Sequence, residues 1–277
     1  MQTYETPRPI TLSVRAGSGH VTVVADDTQR TTVELTPLNS AGEDAVAEAT
    51  VEQRGDSVAV VLPRHRGLFR QGPQVAVAIT VPTGSTLEVK AEACDVRASG
   101  GYASAAIDTG SGDIAVERVD GSARLKSGSG TVTAGEVGGT LVVGTGSGDV
   151  NLDHTAGSTS INVGSGDISI GEVSGEVVTR TGSGDVEVGI LGGSLVTKSG
   201  SGDLTVRRAA HGAVRANGAS GNISIGICEG TAAWLDVSTL TGRVTQELGE
   251  ATAPREDQRR VEITAHTVSG DLRVHRS

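Results

Sequence analysis

The sequence predicts an all-β fold, a parallel β-solenoid of eighteen-residue coils behind an irregular β cap. Three observations predict it. Of 277 residues 40 are Gly, and the aromatic rings are limited to Tyr4, Phe69, Tyr102 and Trp234, so an interior built round large rings is excluded and small residues must form it. Gly this abundant, without excess Pro or an every-third-residue pattern, excludes collagen, and plentiful Val, Ile and Leu argue against disorder. From Glu92 the chain then falls into seven gapless blocks of eighteen residues covering 92–217, among them GSGDISIGEVSGEVVTRT and GSGDVEVGILGGSLVTKS. A fixed period sustained over that span is the signature of a stacked repeat.

The cap comes first in the chain. Residues 1–91 lack the eighteen-residue register but alternate as strands at Ile10-Leu12-Val14, Val21-Val23, Val33-Leu35, Val58-Val60-Leu62, Val75-Val77-Ile79-Val81 and Leu87-Val89. An open solenoid end exposes unpaired edges, so this segment is read as the N-terminal cap. Within it, Gly17-Ser18-Gly19-His20 is a weaker copy of the repeat turn, which allows the first strands to form an irregular coil of the same roll. Ala41–Thr50 reads as a short helical turn or an extended loop.

The domain 92–277 follows. In each block GSGD leads into an alternating strand, then a second Gly-containing turn and another short strand; period-2 alternation means strands and the Gly clusters mean turns. Val96, Ile114, Val132, Val150, Ile168, Val186 and Leu204 form one aliphatic column, and Ala98, Val116, Ala134, Leu152, Ile170, Val188 and Val206 a second. These columns are the expected interior, with coils stacked at about 4.8 Å and no room for a column of rings. Beyond Asn217 the register loosens at Ser220-Gly221-Asn222, Thr241-Gly242-Arg243 and Ser269-Gly270-Asp271, so the coils are expected to continue with insertions, eight to ten in all. The polar stretch 246–260 is expected to project as a loop. Trp234 is expected to close the C-terminal end of the core.

Charge and termini bound the function. Lys plus Arg number 23 against 33 Asp plus Glu, a net charge of −10, which disfavours nucleic acid and anionic membrane as partners. No basic-then-apolar leader opens the sequence and no apolar run is long enough to span a bilayer, so the cytoplasm is the expected location. The two cysteines, Cys94 and Cys228, lie about seven coils apart on a solenoid, too far for a disulfide.

Three features carry candidate chemistry. The aspartates Asp95, Asp113, Asp149, Asp167, Asp185 and Asp203, with Asp271 continuing them, recur in one column, where stacked carboxylates repel by roughly 1 kcal/mol even in water. Two readings answer that repulsion: each carboxylate caps the backbone of its own turn, or the ladder from Asp113 to Asp203 binds Ca²⁺. Calcium-binding rolls carry Asp in both turns of a coil, whereas here the second turn has none, so turn capping is preferred and no metal or other cofactor is assigned. The basic stretch with Arg64, Arg66, Leu68, Phe69 and Arg70 reads as a hairpin loop or as a docking loop for an acidic partner or a second copy, and Trp234 joins it as a contact candidate. The six histidines fall at unrelated repeat positions and the turn serines recur identically, so no catalytic residue is assigned.

The GSGD turn followed by Val-x-Val at eighteen-residue spacing, with Glu229–Val237 (EGTAAWLDV) and Gly270-Asp271-Leu272 at the close, resembles the bacterial putative-adhesin family of β-strand repeat proteins, a domain of unknown function, in its actinobacterial cytoplasmic type. The resemblance implies a right-handed parallel β-roll or β-helix and no catalytic motif. The combined expectation is a non-enzymatic scaffold presenting a repetitive surface to a protein partner. A carbohydrate-binding or polysaccharide-cleaving β-helix and a self-assembling rod are the alternatives.

Overall fold

The computed structural model describes residues 1–63, 72–249 and 259–277. Among them the regular structure is strand, apart from the helix Ser40–Ala47. The chain forms two compact units, 1–140 and 141–277, and the all-β parallel solenoid expected from the repeat is present.

In the 141–277 unit each coil contributes two strands, such as Ile168–Val173 with Glu176–Ser183 and Val186–Leu191 with Ser194–Ser201. Each strand pairs in parallel with its equivalent eighteen residues on, Val150 with Ile168, Ile168 with Val186 and Val186 with Leu204. Both aliphatic columns are buried. Burying a Val, Leu or Ile side chain contributes about 1.5–3 kcal/mol, so the columns supply the main stabilisation of the stack. The turn glycine Gly184 shows why the repeat tolerates nothing larger there: its φ is +129°, and a Cβ would overlap the carbonyl oxygen of Gly166 in the adjacent coil.

The C-terminal coils are not in sequence order. Gly212–Ser220 pairs with Arg260–Ser269, which pairs on its other side with Ala232–Thr241. On the opposite face Ile223–Ile227 pairs with Leu272–Arg276, which in turn pairs with Val244–Glu247. The last coil of the sequence is therefore slotted between the two that precede it. Composition explains the exchange. Val261, Ile263, Ala265, Leu272 and Val274 are all fully buried, as a coil covered on both sides requires. The coil 232–247 carries Gln246 where Val274 sits in its neighbour, and Gln246 is exposed, as an outermost coil permits. The connection that steps over the inserted coil is clasped by Arg276, whose Nη1 donates to the carbonyls of Cys228 (3.0 Å) and Thr231 (2.9 Å). Of the loop expected over 246–260, Gln246 and Glu247 belong to a strand; residues 250–258 lie outside the described residues.

The 1–140 unit repeats the device. Thr11–Asp26 runs parallel to Thr86–Tyr102 on one side and to Ser57–Val61 and Gln74–Pro82 on the other. The boundary expected after residue 91 falls inside the strand Thr86–Tyr102, and Thr11–Asp26, with Ser57–Val61 and Gln74–Pro82, stacks as coil strands, because Val21, Val23, Val77 and Ile79 continue the buried alternation. Capping falls to a smaller segment. Arg30–Pro37 lies antiparallel on Gln74–Pro82, Thr50–Arg54 antiparallel on Ser57–Val61, and Gln2–Glu5 antiparallel on Arg30–Pro37. The stretch left open between helix and loop is the helix Ser40–Ala47. Asn39 starts it: its Oδ1 accepts from the N–H of Gly42 (2.7 Å) and of Gln74 (3.1 Å), tying the helix to the sheet it covers.

Among the described residues one ring enters the interior. Tyr102 is fully buried, its hydroxyl donating to the carbonyls of Val23 (3.0 Å) and Ser99 (3.1 Å). The strand register shifts between Ala98 and Gly101, and that irregularity makes the local space the regular coils lack.

Candidate functional site

The aspartate row has a definite geometry. Asp95 Oδ1 accepts from the N–H of Asp113 (3.0 Å), and Asp113 Oδ1 from that of Thr131 (2.8 Å). In the other unit Asp149, Asp167 and Asp185 accept from the N–H of Asp167 (2.9 Å), Asp185 (2.8 Å) and Asp203 (2.7 Å). The bonds thus cross from coil to coil, where capping of the aspartate's own turn was expected. A parallel stack places the next coil's N–H beside the carboxylate, and that donor offsets the repulsion between neighbours. The row then follows spatial order: Asp203 accepts from Asn222 (2.7 Å), Asn222 Oδ1 from Asp271 (2.9 Å) and Asp271 from Arg243 (2.9 Å). Among the described residues no three His, Cys, Asp or Glu side chains converge as a metal site. The carboxylates act as struts between coils.

The second feature is the outer edge of Ala232–Thr241. Alternation turns Ala233, Leu235 and Val237 inward, beside Val261, Ile263 and Ala265. Those three edge residues are only half-buried, since among the described residues no coil lies beyond them. Trp234 and Leu240 therefore point outward, 59% and 78% exposed. Trp234 does not close the core as expected; the parity set by Leu235 and Val237 places it on the outer face, where it borders a shallow concavity with Gly212, Arg260 and Glu262. Leu240, Val244 and Val268 are exposed apolar residues of the same coils that the sequence reading passed over. For Leu240 and Val268 the signal was in the alternation itself, Leu240 sharing parity with Trp234, whereas Val244 stands in the inner column opposite Leu272 and is exposed because its coil is the outer one. The contact candidates Arg64, Arg66, Leu68, Phe69 and Arg70 lie outside the described residues.

Nucleophiles are sparse. Burial, then the neighbouring Asp95 and Glu92 carboxylates, pushes the Cys94 thiol up to about 11, which keeps it protonated and unreactive near neutrality. Ser238 Oγ and His266 Nδ1 approach to 2.8 Å, but among the described residues no carboxylate is hydrogen-bonded to His266 to orient it as a base. Among the described residues, no helix is long and apolar enough to cross a membrane.

A coil stack whose side chains act as struts, and whose outermost C-terminal strand, Ala232–Thr241, is paired on one side only among the described residues, defines a β-solenoid of the repeat-scaffold class. The chain belongs to the Toastrack DUF4097 family, whose model matches residues 4–155 and again 136–277. Among solved structures the chain is similar to a putative adhesin of Bacteroides fragilis, at 14% identity over 98% of this chain and 95% of that one, with a TM-score of 0.38. It is also similar to a putative lipid binding protein of Parabacteroides distasonis, at 13% identity over 99% and 96% of the two chains, with a TM-score of 0.39. A putative cell adhesion protein of Clostridium sporogenes matches at 9% identity over 100% and 98%, with a TM-score of 0.19. No curated protein matches.

Proposed function

We propose that the chain is a non-enzymatic scaffold that takes a protein partner at the open edge of its C-terminal coils, by addition of a strand to Ala232–Thr241. The observation that carries this reading is the edge strand itself: a ten-residue parallel strand with one paired side among the described residues, exposed Trp234 and Leu240, and a half-buried aliphatic row at its inner face. Main-chain bonds supply affinity in such a union, and side chains at alternate positions supply selectivity. The acidic balance of the chain supports a protein over a nucleic acid. Two free thiols support a reducing, cytoplasmic setting, which cell fractionation tests.

The test is an affinity capture from native extract with the wild-type chain and a Trp234→Lys/Leu240→Lys variant as baits. Both substituted side chains are exposed, so the variant is expected to keep the wild-type melting curve and lose the captured protein. Equal capture by the two baits would remove the edge from the reading.

A further inference from the structure

The edge strand's own sequence indicates what pairs with it. Two copies of one strand meeting edge to edge about a two-fold axis run antiparallel, and residues directly opposite then point to the same face. Only registers centred on a residue therefore keep Ala233, Leu235 and Val237 inside and Trp234 and Leu240 outside. Centring on Leu235 sets Trp234 against Asp236 and leaves Leu240 opposite Gly230. Centring on Asp236 sets two carboxylates against each other. Centring on Ser238 sets Leu240 against Asp236 and Trp234 against Gly242. Centring on Val237 satisfies every pair: Trp234 meets Leu240 twice, Asp236 meets Ser238 twice, Leu235 meets Thr239, and Val237 meets itself. The two most exposed apolar side chains of the strand are thus each other's partners. Like or unlike pairs opposite one another shift stability by roughly 0.2–1 kcal/mol each, so the registers differ by several such terms.

The symmetry is also favoured by the other unit. There the outermost strands, Ser57–Val61 and Gln74–Pro82, have their outer edges covered by Thr50–Arg54 and Arg30–Pro37, short strands bearing Glu52, Arg54, Arg30 and Glu34. A charged, antiparallel cover is not a template for the apolar strand Ala232–Thr241, so that edge of a second copy offers it no matching surface. A contact between like edges closes after two copies.

We propose that the occupant of the edge is a second copy of this chain, the two Ala232–Thr241 strands pairing antiparallel about a two-fold axis at Val237. This rests on the strand-addition reading above and names its partner.

The test is sedimentation equilibrium of the wild-type chain and of Trp234→Lys/Leu240→Lys, followed by cysteine crosslinking in a Cys228→Ser background, where the remaining Cys94 is buried. The wild type is expected to be a dimer and the double variant a folded monomer. Under mild oxidation Val237→Cys is expected to give a covalent dimer alone. Asp236→Cys and Ser238→Cys are expected to do so only when mixed, since opposite Cα atoms lie about 4.5–5.5 Å apart, within disulfide span. A wild-type monomer at all accessible concentrations overturns the proposal. So does a dimer that survives the double substitution, or one in which Asp236→Cys or Ser238→Cys crosslinks by itself. A monomer that still loses a captured protein on the double substitution would overturn the second copy while leaving strand addition intact. The same monomer with unchanged capture would overturn both.

Discussion

Asp185 both receives and gives a strut: its N–H is held by Asp167 (2.8 Å) and its Oδ1 holds the N–H of Asp203 (2.7 Å). The bond needs an acceptor oxygen rather than a charge, and the structure already contains the proof in Asn222, whose amide oxygen takes the N–H of Asp271. Asp185→Ala is therefore expected to lower stability by about 1–2 kcal/mol, and Asp185→Asn to stay near the wild type, as urea unfolding would show. A loss in Asn as large as in Ala would mean that the charge matters for another reason. Cys94 gives a pH signature. Burial, with help from Asp95 and Glu92, lifts its thiol from 9.0 to about 11, so the folded chain keeps a proton that the unfolded chain releases. That stability is fully present below pH 9 and is lost between pH 9 and 11; it amounts to about 2–3 kcal/mol at most. Melting temperature is expected to fall across that window, and Cys94→Ala to flatten the fall. What slope remains belongs in part to Tyr102, whose hydroxyl burial also pushes upward.

At the scale of the element, the strands of the repeat were legible and their neighbours were not. Alternation at Val186-Glu187-Val188 states which side chains are buried, and the eighteen-residue period states which strand pairs with which. Outside 92–217 the period fails, and parallel strands of like alternation are interchangeable: nothing in the turns of 212–277 says that Arg260–Ser269 lies against both Gly212–Ser220 and Ala232–Thr241. Only Gln246, a polar residue in the aliphatic column, marks its coil as the outer one. Trp234 was misplaced for a different reason. Its size suggested a plug, whereas Ala233-Leu235-Val237 had already assigned the inner face. The bond pattern of the aspartates was half legible, because sequence gives the column but not which coil supplies the donor. Arg276 was not legible as a clasp at all, since its acceptors, the carbonyls of Cys228 and Thr231, are brought to it only by the exchanged coil order. Arg276→Ala leaves both carbonyls without this donor and is expected to cost about 1–3 kcal/mol, with faster amide exchange confined to 228–247 and 272–277. Faster exchange spread evenly through 141–277 would argue against a local clasp.

At the scale of the whole molecule, both units place a strand that lies near a chain terminus inside the stack instead of at its end. Thr11–Asp26 is flanked by segments that follow it, and Arg260–Ser269 by segments that precede it. The two cases differ in time during synthesis. The first segment leaves the ribosome before either neighbour exists and must wait, unpaired, for Ser57–Val61, Gln74–Pro82 and Thr86–Tyr102. The last leaves after both its neighbours and must enter a slot that has been standing open. Between them the eighteen-residue coils need only contacts with the coil just made, which close short loops and form early, whereas the two interleaved segments close long ones. Residues 260–277 are thus the bolt of the C-terminal unit, and a nascent chain stalled before Arg260 would hold that unit ajar.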